Sequence, residues 1–281
     1  MIPRPTTAEL CADLTRTTAE EQAERLRVAC SECGRPKLLD AFAGEGGAGK
    51  GYMRAGFCVD AVDKVPNRKT ERGQRARLAN YPFDCIAAKG FVTDAVAFIA
   101  ENGHKYAAGH GSPTCTGYSR GTAAVADRLE KYDRLIGATR EAFLIAGIPY
   151  VIENVEDAKA ELESPILLCG RQFGLSAIDD DGTPLVMDRH RLFESNVLLL
   201  APEHAPHDKS LQVAGSYGGA RRDKVEAREI RGGGYVPSAE VQRALLGTPW
   251  MTEKGCQLSI PPAYTEFIGE QLLAQVCEVA A

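Results

Sequence analysis

From residue 37 onward, short apolar runs alternate with glycine-rich or helix-periodic stretches. Residues 37–42, 58–62, 84–88, 106–111 and 150–153 are apolar, short and bounded by Gly, Pro, Asn or Asp, which predicts strands. Residues 127–146 instead carry Leu129, Tyr132, Leu135, Ile136, Thr139, Phe143 and Ala146 at three- and four-residue spacing. That spacing predicts an amphipathic crossover helix. Strand alternating with helix implies a parallel α/β sheet.

The two ends differ from this middle. Residues 1–35 are polar and helix-prone until Pro36 interrupts them. After Leu200 the chain holds His204, Pro206 and His207, glycines at 215–219 and 232–234, and a basic cluster of Arg221, Arg222, Lys224, Arg228 and Arg231. Asp223, Glu226 and Glu229 interleave with that cluster, so a solvated, ion-paired helix face and a phosphate-contacting surface both fit it. Ser238 can cap a helix ending at Gly247, and Pro261 with Pro262 can open a last helix carrying Tyr264, Phe267, Ile268, Leu272 and Val276. The expected division is an N-terminal helical extension (1–35), a main domain (36–197), a small second domain (198–255) and a C-terminal helix completing the main domain (256–281).

With 281 residues, 44% hydrophobic and 25% charged, the chain can bury a full core, which excludes disorder. No apolar run approaches the roughly 18–20 residues of a membrane span, and the N-terminus lacks a signal-like apolar stretch, so a cytoplasmic protein is expected. Nine cysteines, an odd count, favour free thiols over a disulfide scaffold. Cys30 and Cys33 form a CxxC, yet no second CxxC or His pair follows at zinc-finger spacing. The pair therefore reads as structural or incidental, and no metal site is expected. A net charge of −5 argues against a bulk nucleic-acid coat.

The first expected strand runs into a loop in which Gly44, Gly46 and Gly49 satisfy GxGxxG at a strand-to-helix turn. Glycine permits the tight turn and a close backbone approach to a ligand. Asp63 closes the next strand, 19 residues after Gly44, where an acid can accept hydrogen bonds from ribose hydroxyls. The loop nearly fits a phosphate-binding GxxxxGK[ST], but Gly51 stands where that motif needs a hydroxyl. A dinucleotide, S-adenosylmethionine and an empty glycine turn all remain open on this loop.

Cys115 follows the fourth expected strand within Gly109-His-Gly-Ser-Pro-Thr-Cys-Thr-Gly, outside the carboxyl edge of the sheet where ligands of α/β folds bind. That position makes it a candidate nucleophile. Cys58, Cys85 and Cys169 sit in apolar contexts and are expected to pack. Glu153 ends the next strand at the same edge, and Arg189 and Arg191 alternate so that, on a strand, they share one face.

Five segments in order, LLDAFAGEGGAGKGYMRAGF (38–57), SPTCTGYS (112–119), VIENV (151–155), RHRLF (189–193) and LSIPPAYTEFIG (258–269), resemble the DNA cytosine-5 methyltransferase family. The resemblance implies a Rossmann-like S-adenosylmethionine-dependent methyltransferase fold with a small inserted target-recognition domain. It further implies that Cys115 attacks C6 of cytosine, that Glu153 supports N3, and that Arg189 and Arg191 hold the base. Phe42, Ala43, Gly44, Glu45, Gly46, Gly47, Asp63, Asp94, Tyr264 and Thr265 would line the S-adenosylmethionine pocket. For Asp94 a helix N-cap, and for Tyr264 and Thr265 plain helix packing, are the alternatives.

The same resemblance makes double-stranded DNA the partner of a monomeric enzyme. The target base would be flipped out of the duplex. Ser119 and Arg120 would lie in a loop closing over it, with Arg221, Arg222, Lys224, Arg228 and Arg231 on phosphates. The chain departs from the family's Pro-Pro-Cys-Gln at Thr114 and Thr116. RNA as substrate, a non-catalytic DNA-binding relative and a nicotinamide-dependent oxidoreductase are the competing expectations.

Overall fold

The computed structural model describes residues 28–64, 77–118, 133–216 and 235–278. The elements are β1 (Lys37–Ala41), α1 (Gly47–Ala55), β2 (Cys58–Asp63), β3 (Gly90–Val92), α2 (Ala95–Asn102), β4 (Ala108–Gly111), α3 (Ile136–Ala146) and β5 (Tyr150–Asn154). They continue through β6 (Ile166–Leu168), β7 (Ser176–Ile178), β8 (Pro184–Val186), β9 (Arg191–Ser195), β10 (Gln212–Val213), α4 (Ala239–Leu246), α5 (Glu253–Leu258) and α6 (Pro262–Glu278).

The main sheet has seven strands in the order β3-β2-β1-β4-β5-β9-β6, so the α/β fold expected from the sequence is present, although the expected all-parallel sheet is mixed. Its first five strands are parallel, and β9 runs antiparallel to both β5 and β6. The order reverses between β1 and β4, which opens a crevice beyond their carboxyl ends. Strand β9 enters the sheet from that same edge, because Asn154 at the end of β5 pairs with Leu192 near the start of β9.

Each face of the sheet buries one apolar layer. On one, Leu38, Val59, Val151 and Phe193 meet Tyr52 and Met53 of α1 and Tyr264, Ile268 and Leu272 of α6. On the other, Leu39, Ala41, Val62 and Ile152 meet Ile99 of α2 and Ile136 and Phe143 of α3. A large apolar side chain so buried contributes roughly 1.5–3 kcal/mol. Helices α1 and α6 approach closely because Gly51 lies against Thr265 and Pro262, and Gly269 against Ala55 and Tyr52.

The second sheet, β10-β8-β7, shares a core of Leu185, Met187, Ala214, Val241, Leu245 and Met251 with α4. It draws β7 and β8 from 176–186, ahead of the boundary expected at 198, and α6 then returns to the first sheet. Residues 84–88 are not a strand: Ala88 N–H donates to the Cys85 carbonyl in a turn, and the ladder with β2 begins only at Gly90. Helix α3 starts at Ile136, with 133–135 non-helical and the start expected at 127 outside the described residues. The extension 1–35 is described only from residue 28. Helix α4 is bounded as expected, since Ser238 Oγ accepts from Val241 N–H and Gly247 takes a left-handed conformation. Among the described residues no helix is long and apolar enough to cross a membrane.

Candidate active site

The carboxyl ends of β1, β2, β4 and β5 carry the loop 42–46, Asp63, the loop 112–118 and Glu153 with Asn154. The glycine turn is fixed by Asp63, whose Oδ2 accepts from Gly44 N–H at 2.9 Å and whose Oδ1 accepts from Lys64 N–H. Phe42 (φ 60°) and Gly44 (φ 56°) are both left-handed, a conformation natural for glycine and costly for phenylalanine. No atom lies within 4 Å of where a Gly44 side chain would begin, so the backbone there faces open space. The other glycines serve protein contacts. Gly46 lies against Tyr81 and Pro82, Gly47 against Ser259 and the Ile260 carbonyl, and Gly49 against Tyr81. Ala43 is buried in the core beside α1.

Cys115 opens a short 3-10 turn after β4 and is partly exposed. Thr114 caps that turn: its Oγ1 accepts from Thr116 N–H and lies 2.9 Å from Thr116 Oγ1. The two threonines that depart from Pro-Pro-Cys-Gln thus form the turn that presents the thiol. Asn154 ties this loop to β5, donating from Nδ2 to the Pro113 carbonyl at 3.0 Å. A second tie runs through buried His110, with Tyr52 Oη 3.0 Å from Nδ1 and Ser112 Oγ 2.6 Å from Nε2. Burial lowers the His110 pKa to about 3, so the ring is neutral and can accept at one nitrogen while donating at the other.

Glu153 and Arg191 stand diagonally across the β5–β9 ladder and pair at 3.0 Å between Oε1 and Nε, both largely withdrawn from solvent. Burial pushes the Glu153 carboxyl up, and the Arg191 and Arg189 guanidinium groups oppose that shift. The same groups act on Cys115. Burial raises its thiol and Glu153 adds to the rise, while Arg191 and Arg189 pull against it. Cys115, Glu153 and Arg191 therefore form one electrostatic unit drawn from three separate chain segments.

Arg189 is different. It precedes β9 at φ 32°, so the strand alternation expected to align it with Arg191 does not hold. Its buried guanidinium donates to the Ser259, Ser216 and Gln257 carbonyls, joining the α5–α6 connection to the main sheet. Tyr264 Oη donates to the Arg189 carbonyl at 2.8 Å, and Thr265 Oγ1 to the Ala48 carbonyl at 2.8 Å. Both are fully buried, Tyr264 against Phe173 and Phe193 and Thr265 against α1. Asp94 caps α2, accepting from Ala97 N–H at 2.9 Å. Glu45 accepts from Thr252 N–H and Oγ1, and its carbonyl accepts from Trp250 Nε1, which ties the glycine loop to the α4–α5 connection. Ser119, Arg120, Arg221, Arg222, Lys224, Arg228 and Arg231 lie outside the described residues.

Spacing along the chain also missed two convergences. Cys58 and Cys85, expected to pack, lie with Cys30 and Cys33, so the CxxC has the partners its neighbouring sequence lacks. Cys169 lies with His190, His204 and His207. Only the fold reveals either set, because in each the ligands come from three separate chain segments.

No family model matches this chain, and no curated protein does. Among solved structures it is similar to a putative DNA modification methyltransferase encoded within a prophage of E. coli, at 13% identity over 84% of this chain and 98% of that one, TM-score 0.48. It is likewise similar to the S. pombe Dnmt2 methyltransferase, at 13% identity over 85% and 98%, TM-score 0.48. A SAM-dependent methyltransferase from Agrobacterium tumefaciens aligns at 17% identity over 62% and 58%, TM-score 0.29.

Proposed function

We propose that the chain is an S-adenosylmethionine-dependent methyltransferase acting on C5 of cytosine in DNA. The observation that carries this reading is the buried Glu153–Arg191 pair acting electrostatically on Cys115 at the crevice edge of the sheet. It is read together with the ordered motifs that the sequence shares with the cytosine-5 family.

The donor pocket fits a nucleoside-bearing cofactor on one structural ground. The glycine turn is anchored by Asp63 while the backbone at Gly44 faces open space. Phe42, Gly44 and Asp63 are the residues that would hold it. Glu45, Gly46, Gly47, Tyr264 and Thr265 would support the pocket from behind, and Asp94 through its cap. When bound, S-adenosylmethionine supplies an electrophilic methyl group on a sulfonium.

Cytosine C5 is a weak nucleophile, and the residues address that directly. Addition of the Cys115 thiolate to C6 places electron density on C5. Glu153, whose carboxyl is raised by burial, is suited to sharing a proton with N3 as charge builds on the ring. Arg191 holds Glu153 in place and opposes negative charge beside it. After methylation, loss of the C5 proton lets the sulfur leave and restores Cys115. Arg189 is a positioning residue in this reading, since its donors are engaged with backbone carbonyls.

A 5-fluorocytosine duplex tests this, because fluorine at C5 blocks the final elimination. Incubation with S-adenosylmethionine should give a covalent protein–DNA adduct through Cys115, and Cys115→Ser should give none. No adduct, or one that survives the substitution, would overturn the reading. A matched RNA that traps more protein than the DNA would move the substrate to RNA.

A further inference from the structure

We propose that the chain binds two zinc ions, one through Cys169, His190, His204 and His207 and the other through Cys30, Cys33, Cys58 and Cys85. In each set one ligand atom from every residue lies within 4.8 Å of all the others.

Three separations within the cysteine–histidine set are those of a tetrahedral zinc site. His190 Nε2 and His207 Nε2 each lie 3.2 Å from His204 Nε2, and Cys169 Sγ lies 3.3 Å from His207 Nε2. Zinc bonds of about 2.0–2.1 Å to nitrogen and about 2.3 Å to sulfur give tetrahedral edges of about 3.3 Å and 3.5 Å. Hydrogen bonding among the three rings alone does not satisfy all of these contacts. His190 Nδ1 faces Glu156 Oε2 and His207 Nδ1 faces Asp188 Oδ2, both at 3.1 Å. A proton on Nδ1, toward the carboxylate, would direct the Nε2 lone pairs of His190 and His207 inward, and a neutral His204 can donate to only one of them. A central cation accepts every inward lone pair, and a carboxylate behind a ligating imidazole is the usual outer partner in such sites. Four protein ligands make this a closed, structural site.

The site lies where the fold needs a staple. His204 and His207 belong to a stretch between β9 and β10 without regular structure. Cys169 follows β6 and His190 precedes β9. The ion would pin that stretch to the main sheet beside the contacts of Gln172 with the Pro202 carbonyl and Arg171 with the Asp208 carbonyl.

The four-cysteine set is carried independently. Cys30 Sγ and Cys85 Sγ are 3.7 Å apart, far beyond a disulfide of about 2.05 Å. That separation matches the edge of about 3.8 Å expected for four sulfurs at about 2.3 Å from zinc. A tight turn presents the CxxC: Gly34 N–H donates to the Cys30 carbonyl, with Gly34 at φ 68°. Cys58 starts β2, and Cys85 lies in the turn that replaces the expected strand. Arg35 Nε donates to Cys33 Sγ at 3.3 Å, placing a cation that partly offsets the net negative charge of a zinc ion held by four thiolates. Arg35 also makes a bidentate pair with Asp84, next to Cys85.

Elemental analysis of the full chain, purified without chelator, should give two zinc ions per chain. His207→Ala and Cys33→Ser should each reduce this to one. Should either variant fail to fold, the unsubstituted chain still decides. Alkylation under native conditions should spare Cys30, Cys33, Cys58, Cys85 and Cys169 until a chelator is added. Cobalt added after zinc removal should fill two sites, with strong thiolate charge-transfer absorption from the four-sulfur set and weaker absorption from the single-sulfur set. A chain that is metal-free and takes up no cobalt, or a Cys30–Cys85 disulfide, would overturn the proposal. Iron in the four-cysteine set would overturn the zinc assignment there.

Discussion

Replacing Arg191 with leucine should turn Glu153 from a paired carboxylate into a buried acid that must hold a proton. Arg191 opposes the burial that raises the Glu153 carboxyl, so its removal raises that group further. In the unfolded chain a glutamate titrates near 4.3, and each unit of separation is worth about 1.4 kcal/mol. Keeping Glu153 protonated in the folded state therefore costs up to about 4 kcal/mol at pH 7.5 and only about 1 kcal/mol at pH 5. The sign follows from the raised folded value: stability is present at low pH and lost as pH rises. Breaking a buried pair costs about 3–5 kcal/mol when the remaining charge stays in place. Protonation limits that cost. Urea unfolding of Arg191→Leu should show a loss of about 3–4 kcal/mol at pH 7.5 that shrinks to about 1 kcal/mol at pH 5. Adding Glu153→Gln should recover most of the loss at pH 7.5. An equal loss at both pH values, with no recovery from the glutamine, would refute the desolvated pair.

Asp40, buried against Tyr81, has its carboxyl pushed up to about 7 by burial, while Tyr81 Oη donates to it at 2.8 Å. Its protonated form stabilises the fold below about pH 4, and that contribution is lost as pH rises through 7, a span worth about 4 kcal/mol. Asp40→Asn should flatten this part of the pH–stability curve and gain most above pH 7, as measured by denaturant unfolding across the range. The glycine turn separates ligand approach from packing. Gly44→Ala adds a methyl into open space at φ 56°, should cost about 1–2 kcal/mol, and should weaken S-adenosylmethionine binding in calorimetry. Gly47→Ala would overlap the Ser259 hydroxyl and the Ile260 carbonyl, so its main effect should be a thermal-unfolding loss of roughly 1–3 kcal/mol.

Local signals made the β1–α1–β2 unit legible: an apolar run, a glycine turn and an acid at the end of the next strand. The caps of α4 and the start of α6 were legible for the same reason, since Ser238, Gly247 and Pro262 act on their own neighbours. Residues 84–88 looked like a strand by composition, but Arg35 binds Asp84 and a turn hydrogen bond closes on Cys85, so tertiary contacts override the pattern. Arg189 failed differently. Alternation with Arg191 assumes a strand at both positions, and the left-handed backbone at 189 turns its guanidinium toward backbone carbonyls. Ser112 and Asn154 fall inside the SPTCTGYS and VIENV segments, and His110 just before the first, yet nothing in those segments marks them as the residues that hold the Cys115 loop. Their role appears only when β4 and β5 are adjacent.

The two ends of the sheet divide the work, and strand direction explains how. Parallel strands β1, β2, β4 and β5 bring Gly44, Asp63, Cys115 and Glu153 to the carboxyl edge, and none of these four residues is a cation. Antiparallel β9 solves this, because it starts at the edge where β5 ends and so delivers Arg191 beside Glu153. A strand start is prone to fraying unless something beyond it is fixed. Here the residues before β9 are held twice: the Arg189 guanidinium is bound by carbonyls from the α5–α6 connection, and the His190 ring joins the cysteine–histidine set. Arg191 Nη1 in turn donates to the His190 carbonyl at 2.7 Å. The placement of the proposed catalytic arginine thus depends on the ladder with β5 on one side and on the proposed zinc staple on the other. The four-cysteine set, at the starts of β1 and β2, secures the opposite edge without touching the chemistry.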